Sequence, residues 1–555
     1  MRILPSLLIL VFFLCSGVLP RTATPGPVLH VSGGSLRGYF QGTTAVFKGI
    51  PYAAPPVGDL RWREPQPPLP WRGVRDATKP GSACVQDPGG LGPFIKPLAA
   101  AYGASYEIEP VSSSEDCLYL NVWAPGWPPR QPLPVMVWLH GGSNALGSGS
   151  ESTYDGTALV SRGVILVTIN YRLGVLGFFS HPELTAESPH HSSGNYGLLD
   201  QLAALRWVKE NAARFGGDPA NVTLFGESAG AIDAGGLITS PLSAHLFQRV
   251  IVESGPPFGL GKIQTLAQGE AVGMSIGKAA PGNSPSVTNL RKLPAVQLMQ
   301  LANAQSKGMY PGNAILDGWV LSEPPAKAFA SGAIQKVDLI VGLNGRELSA
   351  FRVVAAAGSK VAPEPEKGGG LGQAVKGLAD TVHPLYGGWT DAAITLYLLK
   401  AIVNRERAID EASNDMLVAC PSGAMAGFTR AQGGKVFVYK FDRTIPGKGE
   451  SALGAFHGLE IPYVFNALRD RTWRWLPFTA EDQKLAGVIE TYWTNFAKTG
   501  SPNSAGAPDW PAWENGSGNY MEFAPNGTAA SAQDFAPTFC DVSLDRLRRQ
   551  ILNSN

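Results

Sequence analysis

The chain has 555 residues, of which 44% are hydrophobic and 16% are charged, a composition that suits a folded protein with a large core and excludes a disordered one. Its formal net charge is +1, whereas nucleic-acid-binding proteins are typically strongly basic. Composition does not distinguish an enzyme from a binding protein, so this distinction depends on the motifs along the chain.

The first residues follow a pattern that is typical of a secretory signal peptide. Arg2 supplies a positive charge, residues 3–15 form an apolar run too short to span a bilayer, and small and polar residues follow. We therefore expect residues 1–23 to be removed on export, with cleavage between Gly17 and Thr24. The expected location is secreted or periplasmic, and no other segment reads as a membrane span.

Four cysteines remain once that segment is removed. They are Cys84, Cys117, Cys420 and Cys540. An even number of cysteines in an exported chain indicates two disulfides, for which three pairings exist, and nearest-neighbour pairing needs the fewest assumptions. No cluster of cysteine and histidine has the spacing of a zinc site, so we expect no metal.

Six short runs rich in β-branched residues predict buried strands. They are Pro134–Leu139, Val164–Asn170, Val222–Phe225, Arg249–Ser254, Asp338–Asn344 and Lys435–Phe441. None alternates strictly between polar and apolar residues, so both faces of the sheet are expected to be covered. Gly197–Phe215 carries apolar residues at helical spacing. Strands that alternate with helices predict a mostly parallel α/β sheet, and without a clear linker we expect residues 24–555 to form a single domain.

The run Val222–Phe225 leads directly into the sequence Phe-Gly-Glu-Ser-Ala-Gly, which ends at Gly230. A serine with a glycine two positions to either side matches the G-x-S-x-G pattern, in which a sharp strand-to-helix turn exposes the serine hydroxyl. Ser228 is therefore the candidate nucleophile. Five residues are a weak signal, because a glycine-rich loop shows the same letters, so the other groups of such a site must also be present.

In this type of site the acid and the histidine follow the serine along the chain. Glu347 lies just past the run Asp338–Asn344, at a strand end, and is the candidate acid. Two histidines follow it. His383 precedes a proline and follows no predicted strand, whereas His457 stands beside a glycine past the run Lys435–Phe441. We therefore predict that His457 is the base and that His383 is structural.

An acyl-transfer site also needs hydrogen-bond donors for the oxyanion. A glycine-rich segment, Val137–Gly149, follows the first predicted strand directly and reads VWLHGGSNALGSG. Its backbone amides at Gly142 and Ser143, together with the amide of Ala229, are the predicted donors. Glycine-rich segments also form ordinary turns with no catalytic role, but the position of this one directly after an early strand favours an oxyanion hole.

Two longer stretches resemble the signatures of the type-B carboxylesterases, a family of the α/β-hydrolase superfamily that includes cholinesterases, para-nitrobenzyl esterases and fungal lipases. One is FGGDPANVTLFGESAG, residues 215–230, and the other is EDCLYLNVWAP, residues 115–125. The resemblance covers most of residues 28–540. It implies an α/β-hydrolase fold with a large, mostly parallel central sheet flanked by helices, and with long loop insertions that form an active-site gorge.

The resemblance also implies specific residue roles. Ser228 would be the nucleophile, Glu347 the acid and His457 the base of a serine esterase that needs no cofactor. The disulfides would be Cys84–Cys117 and Cys420–Cys540, and the first would tie a loop over the gorge.

The chain departs from the family pattern at two places. Ser143 stands where three consecutive glycines are usual, and no tryptophan lies between Cys84 and Cys117, where cholinesterases hold a quaternary ammonium by a cation–π contact. We therefore set cholinesterase activity aside and expect an exported esterase that acts on uncharged, small-molecule carboxylic esters. The alternatives are a specialised esterase for feruloyl, lipase-like or mycotoxin esters, an acyltransferase at the same triad and, less favoured, a non-catalytic binding protein.

Overall fold

The computed structural model describes residues 26–553, except residues 260–262, 283–284, 307–308, 311, 359–388, 515–516, 537–539 and 541–543. The predicted signal peptide and the alternative base His383 lie outside the described residues. The central feature of the described chain is an 11-stranded sheet with helices packed against it.

The strands of the central sheet are, in chain order, β1 (Tyr39–Gln41), β2 (Thr44–Pro51), β3 (Tyr119–Ala124), β4 (Leu133–Leu139), β5 (Ile165–Ile169), β6 (Gly217–Glu227), β7 (Arg249–Glu253), β8 (Asp338–Asn344), β9 (Val436–Phe441), β10 (Tyr520–Phe523) and β11 (Ala529–Ala532). Their order across the sheet is β11-β10-β9-β8-β7-β6-β4-β5-β3-β2-β1. All neighbours from β10 to β5 pair in parallel, whereas β11, β3, β2 and β1 pair antiparallel. The six predicted strands form the parallel centre, β4 to β9, so the prediction of a mostly parallel sheet is confirmed.

The centre of the sheet is buried on both faces. In β4, Val135, Val137 and Leu139 belong to one hydrophobic core, and the intervening Met136 and Trp138 belong to a second core on the opposite face. Because both faces bury apolar side chains, the sequence of such a strand does not alternate between polar and apolar residues.

Helices cover the two faces. The helix Ala229–Thr239 contributes to the first core and the helix Ala480–Thr499 to the second. The predicted helix Gly197–Phe215 is found as Tyr196–Asn211, followed by the 3-10 turn Ala212–Phe215. The remaining α-helices within the described residues are Gly92–Ala101, Thr157–Ser161, Gly174–Gly177, Pro182–Glu187, Leu266–Ala279, Val287–Lys292, Ala295–Gln305, Pro325–Ser331, Glu347–Ala356, Trp389–Val403, Arg405–Asn414, Cys420–Ala431, Glu450–Leu453, Ile461–Val464 and Leu544–Asn553.

A buried ion pair fixes the helix Tyr196–Asn211 to the loop that follows β5. The guanidinium of Arg172 donates two hydrogen bonds of 2.7 Å to the carboxylate of Asp200, and the Arg172 amide donates a third at 3.0 Å. Both side chains are buried. Loss of one partner from such a pair leaves an uncompensated buried charge, at a cost of roughly 3–5 kcal/mol. The pair therefore holds this helix, which also supports the site described below, in one position.

Two disulfides close loops in the described chain. They join Cys84 to Cys117 and Cys420 to Cys540, which are the pairings that the resemblance implied. At the base of the first loop, Ala83–Cys84 pairs in parallel with Ser113–Ser114. No helix within the described ranges has the length and apolar character required to cross a bilayer.

Candidate active site

Ser228 lies at the point where β6 ends and the helix Ala229–Thr239 begins. Its backbone has φ 55° and ψ −122°, a conformation that residues other than glycine rarely adopt and that costs on the order of 1–3 kcal/mol. The Ser228 amide donates to the carbonyl of Glu253 at the end of β7, at 2.9 Å, and the Ser228 carbonyl accepts from Ile232 at 2.9 Å. The turn therefore has the form that the G-x-S-x-G pattern predicts.

The two glycines around Ser228 are required by close backbone contacts. A Cβ added at Gly226 would lie 2.6 Å from the carbonyl carbon of Gly230, and a Cβ added at Gly230 would lie 2.1 Å from the carbonyl oxygen of Leu139. The obstructing atoms belong to the backbone of the sheet and the helix, so no side chain can rotate to relieve the contact. Glycine at these positions lets the helix start directly against β4.

The structure brings Ser228, His457 and Glu347 together. The Oγ of Ser228 is 2.8 Å from Nε2 of His457, and Nδ1 of His457 is 2.6 Å from Oε2 of Glu347. Glu347 begins the helix that follows β8, and His457 lies in the loop between the helices Glu450–Leu453 and Ile461–Val464. Three segments that are distant in sequence therefore form one continuous hydrogen-bond chain.

The carboxylate of Glu347 is held in place by further contacts. The side chain is fully buried, and its second oxygen accepts a hydrogen bond of 2.6 Å from the amide of Asn344. The amide of Glu347 donates to the side-chain oxygen of Asn414 at 3.1 Å. These contacts leave one carboxylate oxygen directed at His457, which fixes the orientation of the imidazole ring.

The turn after β4 contains Gly142 with φ 103° and Ser143 with φ 56°. The carbonyl of Gly142 accepts hydrogen bonds from Ala145 and Leu146, each at 3.0 Å. Among the described residues, the amides of Gly142, Ser143 and Ala229 have no hydrogen-bond acceptor. Gly142 and Ser143 line the same cleft as Ser228, so their amides are available to a ligand there.

The turn is tied to the helix that begins after Ser228. The side-chain amide of Asn144 donates to one oxygen of Asp233 at 3.0 Å, and the side-chain amide of Gln201 donates to the other oxygen at 2.5 Å. Asn144 also donates to the carbonyl of Gly312 at 3.1 Å. Asp233, one turn along the helix from Ser228, therefore holds the residue that follows Ser143.

The cleft above Ser228 is partly open to solvent. The loop closed by the Cys84–Cys117 disulfide contributes Leu91, Phe94 and Ile95 to its wall. Apart from the residues of the hydrogen-bond chain and the turn, the remaining lining residues are Leu146, Glu151, Thr153, Tyr154, Glu227, Met309, Phe351, Gly458, Ile461, Thr472 and Trp473. The cleft is therefore lined mostly by apolar side chains, with a few polar groups around Ser228, as is typical of sites for small organic molecules.

Further buried carboxyl groups surround His457 and were not among the residues predicted from the sequence. One oxygen of Glu227 lies 3.2 Å from Nε2 of His457. Glu460 accepts a hydrogen bond of 3.1 Å from the hydroxyl of Ser254 and another from the side chain of Asn344. Both positions are visible in the sequence, next to Ser228 and three residues after His457, but only the fold shows that they are buried.

These carboxyl groups change the ionisation of the site. Burial raises the pKa of Glu227 to about 8 and that of Glu460 to about 7. Burial disfavours the imidazolium of His457, but the carboxyls of Glu227 and Glu347 outweigh this effect and raise the pKa of His457 to about 9. The cluster therefore stabilises a positive charge on the imidazole.

The described residues contain no group of three or more His, Cys, Asp or Glu side chains arranged to hold a metal ion. The chemistry that the cleft presents is instead a hydroxyl, an imidazole and a carboxylate in series, beside free backbone amides. In acyl transfer, groups of these types act as nucleophile, base, orienting acid and oxyanion donors.

The strand order, the turn at Ser228 and this cluster define an α/β-hydrolase. The model of the Carboxylesterase family matches residues 25–541, and the chain belongs to that family. It is therefore a carboxylic ester hydrolase.

Individual relatives agree with this assignment. The chain is 37% identical over 509 residues to the fumonisin B1 esterase of Sphingopyxis macrogoltabida, covering 90% of this chain and 86% of that protein. It is 37% identical over 488 residues to the para-nitrobenzyl esterase of Bacillus subtilis, covering 86% and 91%. Among solved structures, a para-nitrobenzyl esterase superposes with a TM-score of 0.75 at 31% identity over 96% of this chain and 100% of that chain.

The pH dependence of activity tests the influence of Glu227. His457 must be neutral to accept a proton. The value of kcat/KM should therefore be low where the imidazole is protonated and should rise as the pH increases through the apparent pKa of His457. Glu227→Gln removes a nearby carboxyl, which lowers the pKa of His457 and should move the acidic limb to lower pH by roughly 1 unit. The measurement is kcat/KM for para-nitrophenyl acetate between pH 5 and 9.

Glu210→Gln is the control for the loss of one carboxyl, because Glu210 is exposed on the helix Tyr196–Asn211. It should leave the profile unchanged. An unchanged limb in Glu227→Gln, or one that moves to higher pH, would contradict the role given to Glu227.

The side chain of Ser143 tests how much room the turn leaves for the alcohol group of an ester. Ser143 is exposed to the cleft, and its Cβ and hydroxyl stand where glycine would leave space. Ser143→Gly keeps the backbone amide and removes the obstruction. Turnover of tert-butyl acetate should therefore rise, while turnover of para-nitrophenyl acetate should stay nearly unchanged.

Ser143→Ala is the matched control, because it keeps the Cβ and removes only the hydroxyl. If the hydroxyl itself donates to the oxyanion, this variant should lose turnover of both esters by up to roughly 10²-fold. That result, or substantial hydrolysis of tert-butyl acetate by the unaltered protein, would refute the steric explanation.

Proposed function

We propose that the chain is an exported serine esterase that hydrolyses carboxylic esters through an acyl-enzyme on Ser228. The observation that carries the proposal is the continuous hydrogen-bond chain from Glu347 through His457 to Ser228. This hydrogen-bond chain ends in a mostly apolar cleft, an environment that suits a small-molecule ester. Membership of the carboxylesterase family supports the reaction class.

In the first half of the reaction, the Oγ of Ser228 attacks the carbonyl carbon of the ester and His457 Nε2 takes the hydroxyl proton. Negative charge then develops on the carbonyl oxygen, where the amides of Gly142, Ser143 and Ala229 donate hydrogen bonds. As the tetrahedral intermediate collapses, the bond to the alcohol oxygen breaks and His457 gives its proton to the leaving alcohol. Glu347 stabilises the imidazolium while it exists.

In the second half, water attacks the acyl carbon and His457 accepts its proton. The bond between the acyl carbon and Ser228 Oγ breaks, and the proton returns to Ser228 from His457. The products are the carboxylic acid and the free enzyme. The carboxylate of Glu347, in contact with Nδ1, favours the imidazolium in both halves, and Glu227, close to Nε2, adds to this effect when it is ionised.

Removal of any member of the proposed triad should abolish most of the activity. Ser228→Ala, His457→Ala and Glu347→Gln should each lower kcat for para-nitrophenyl acetate by roughly 10⁴-fold or more. Combined substitutions should cost little more than the worst single one, because the three groups act as a unit. Thermal unfolding of each variant should show a folded protein, and a fluorophosphonate, which reacts with an activated serine, should label the unaltered protein but not Ser228→Ala.

His383→Ala is the control for the choice of base. It should retain activity, because His383 is assigned no part in the reaction. Near-normal kcat in His457→Ala together with a large loss in His383→Ala would overturn the assignment. Absence of fluorophosphonate labelling in the unaltered protein would favour a non-catalytic binding role.

We further propose that residues 1–23 direct export and that residues 24–555 form one catalytic domain. The family match over residues 25–541 supports the domain, and the two disulfides suit an oxidising compartment.

Mass spectrometry of the exported, non-reduced protein tests the proposed export. The mature N-terminus should fall between residues 18 and 24, and all four remaining cysteines should be found in disulfide-linked peptides. An intact Met1, or free thiols at Cys84 and Cys117, would contradict export through an oxidising compartment.

A further inference from the structure

We propose that Glu151 is a specificity-determining residue that selects esters carrying a terminal ammonium group. The inference rests on the proposed function at Ser228 and adds a substrate class to it. It departs from the expectation of uncharged esters. That expectation followed from the overall net charge and from the missing tryptophan of the disulfide loop, and not from the residues that line the cleft.

Glu151 lies directly before the 3-10 turn Ser152–Tyr154 and is one of the residues lining the cleft with Ser228. One carboxylate oxygen accepts a hydrogen bond of 3.2 Å from the amide of Ser148. The other oxygen has no hydrogen-bond or ion-pair partner among the residues that the structure describes. The side chain is half-buried, so this oxygen is an acceptor left available to a ligand in the cleft.

The surroundings of Glu151 favour a cation. Within the described part of the chain, no lysine or arginine lines the cleft, and the acidic side chains that do are Glu151 and Glu227. The side chains of Phe94, Tyr154 and Trp473 provide an apolar wall along which methylene groups can lie. A chain with an ester at one end and an ammonium at the other matches this arrangement of a reactive serine, an apolar wall and an unpaired carboxylate.

The groups that face Glu151 set its charge. Burial raises the pKa of Glu151 to about 7; the Ser148 amide lowers it in part, and the charge of Asp470 adds to the rise. The hydroxyls of Tyr106 and Tyr154 are also close enough to interact with it. Arg471, which also interacts with Tyr106, is ion-paired with Glu109 at an exposed position, and Glu227 and His457 line the same cleft.

The sign of the pH effect follows from these groups. Below about pH 7 Glu151 is protonated, and above it the side chain carries a negative charge. An alkylammonium group has a pKa near 10.4, like that of lysine, so it stays charged across this range. A bound ammonium stabilises the ionised carboxylate, so the preference for an ammonium ester should be present above pH 7 and disappear as the pH falls through it.

Matched pairs of esters test the inference. Each pair replaces a terminal methyl group by an ammonium group: methyl 6-aminohexanoate with methyl heptanoate, methyl 8-aminooctanoate with methyl nonanoate, and 6-aminohexyl acetate with heptyl acetate. The quantity measured is the ratio of kcat/KM for the two members of a pair, from pH 6 to 8. Because both members use the same triad, the ionisation of His457 cancels from this ratio.

In the unaltered protein the ratio for at least one pair should rise with pH. In Glu151→Gln the ratio at pH 8 should fall by about 10-fold or more and lose its pH dependence, since a charged hydrogen bond is replaced by a neutral one. Glu107→Gln is the matched control, because Glu107 is an exposed residue of the loop that lines the cleft. Its ratios should remain within about twofold of the unaltered protein.

The outcomes separate the inference from the proposed function. If neither member of any pair is hydrolysed, the proposed esterase fails as well. If both members are hydrolysed but the ratio is flat with pH in the unaltered protein, or unchanged in Glu151→Gln, the role of Glu151 is refuted and the esterase stands. A flat ratio in the unaltered protein refutes the role of Glu151 even if Glu151→Gln does not fold.

Discussion

The turn at Ser228 is the constraint on which the arrangement of the site depends. Within one residue the chain leaves β6, takes a φ of 55° and enters a helix, and this requires glycine at positions 226 and 230. The strain is offset because the turn is held by the sheet on both sides, through the hydrogen bond from Ser228 to Glu253 at the end of β7 and the pairing of Gly226 with Leu139 of β4. A serine on a relaxed loop would not be fixed relative to these strands, and its distance to His457 would vary.

The acidic side chains near Ser228 show how the surroundings of a carboxyl group decide its role. Glu347 is fully buried but receives hydrogen bonds on both oxygens, so it orients His457. Glu227 is buried with fewer partners, and burial holds its pKa high. Glu151 is half-buried at the cleft wall with one oxygen free. The same functional group is therefore proposed in three roles: as an orienting acid, as a source of electrostatic stabilisation and as a recognition site.

The sequence predicted the features that depend on local pattern. Apolar runs predicted the six central strands to within a few residues, since burial on both faces leaves a clear signal in composition. The positions of Ser228, Glu347 and His457 followed from a short motif, a strand end and a strand-following loop. Glu227, Glu460 and Glu151 were missed as contributors to the site, because their effect comes from desolvation and from neighbours that are distant in sequence. The sequence does not show whether a carboxyl group is exposed to water or buried.

The hydrogen bonds from Asn144 and Gln201 to Asp233 have a consequence for protein engineering. These bonds link the turn after β4 to the helix Ala229–Thr239, because Asn144, the residue after Ser143, is anchored to that helix. The turn and the helix therefore move together. A turn grafted from a relative into this chain keeps its shape only if it brings a side chain that satisfies Asp233, or if position 233 is exchanged with it. Libraries of variants that exchange this turn to make more room for the alcohol group of an ester should therefore vary positions 144, 201 and 233 together with position 143.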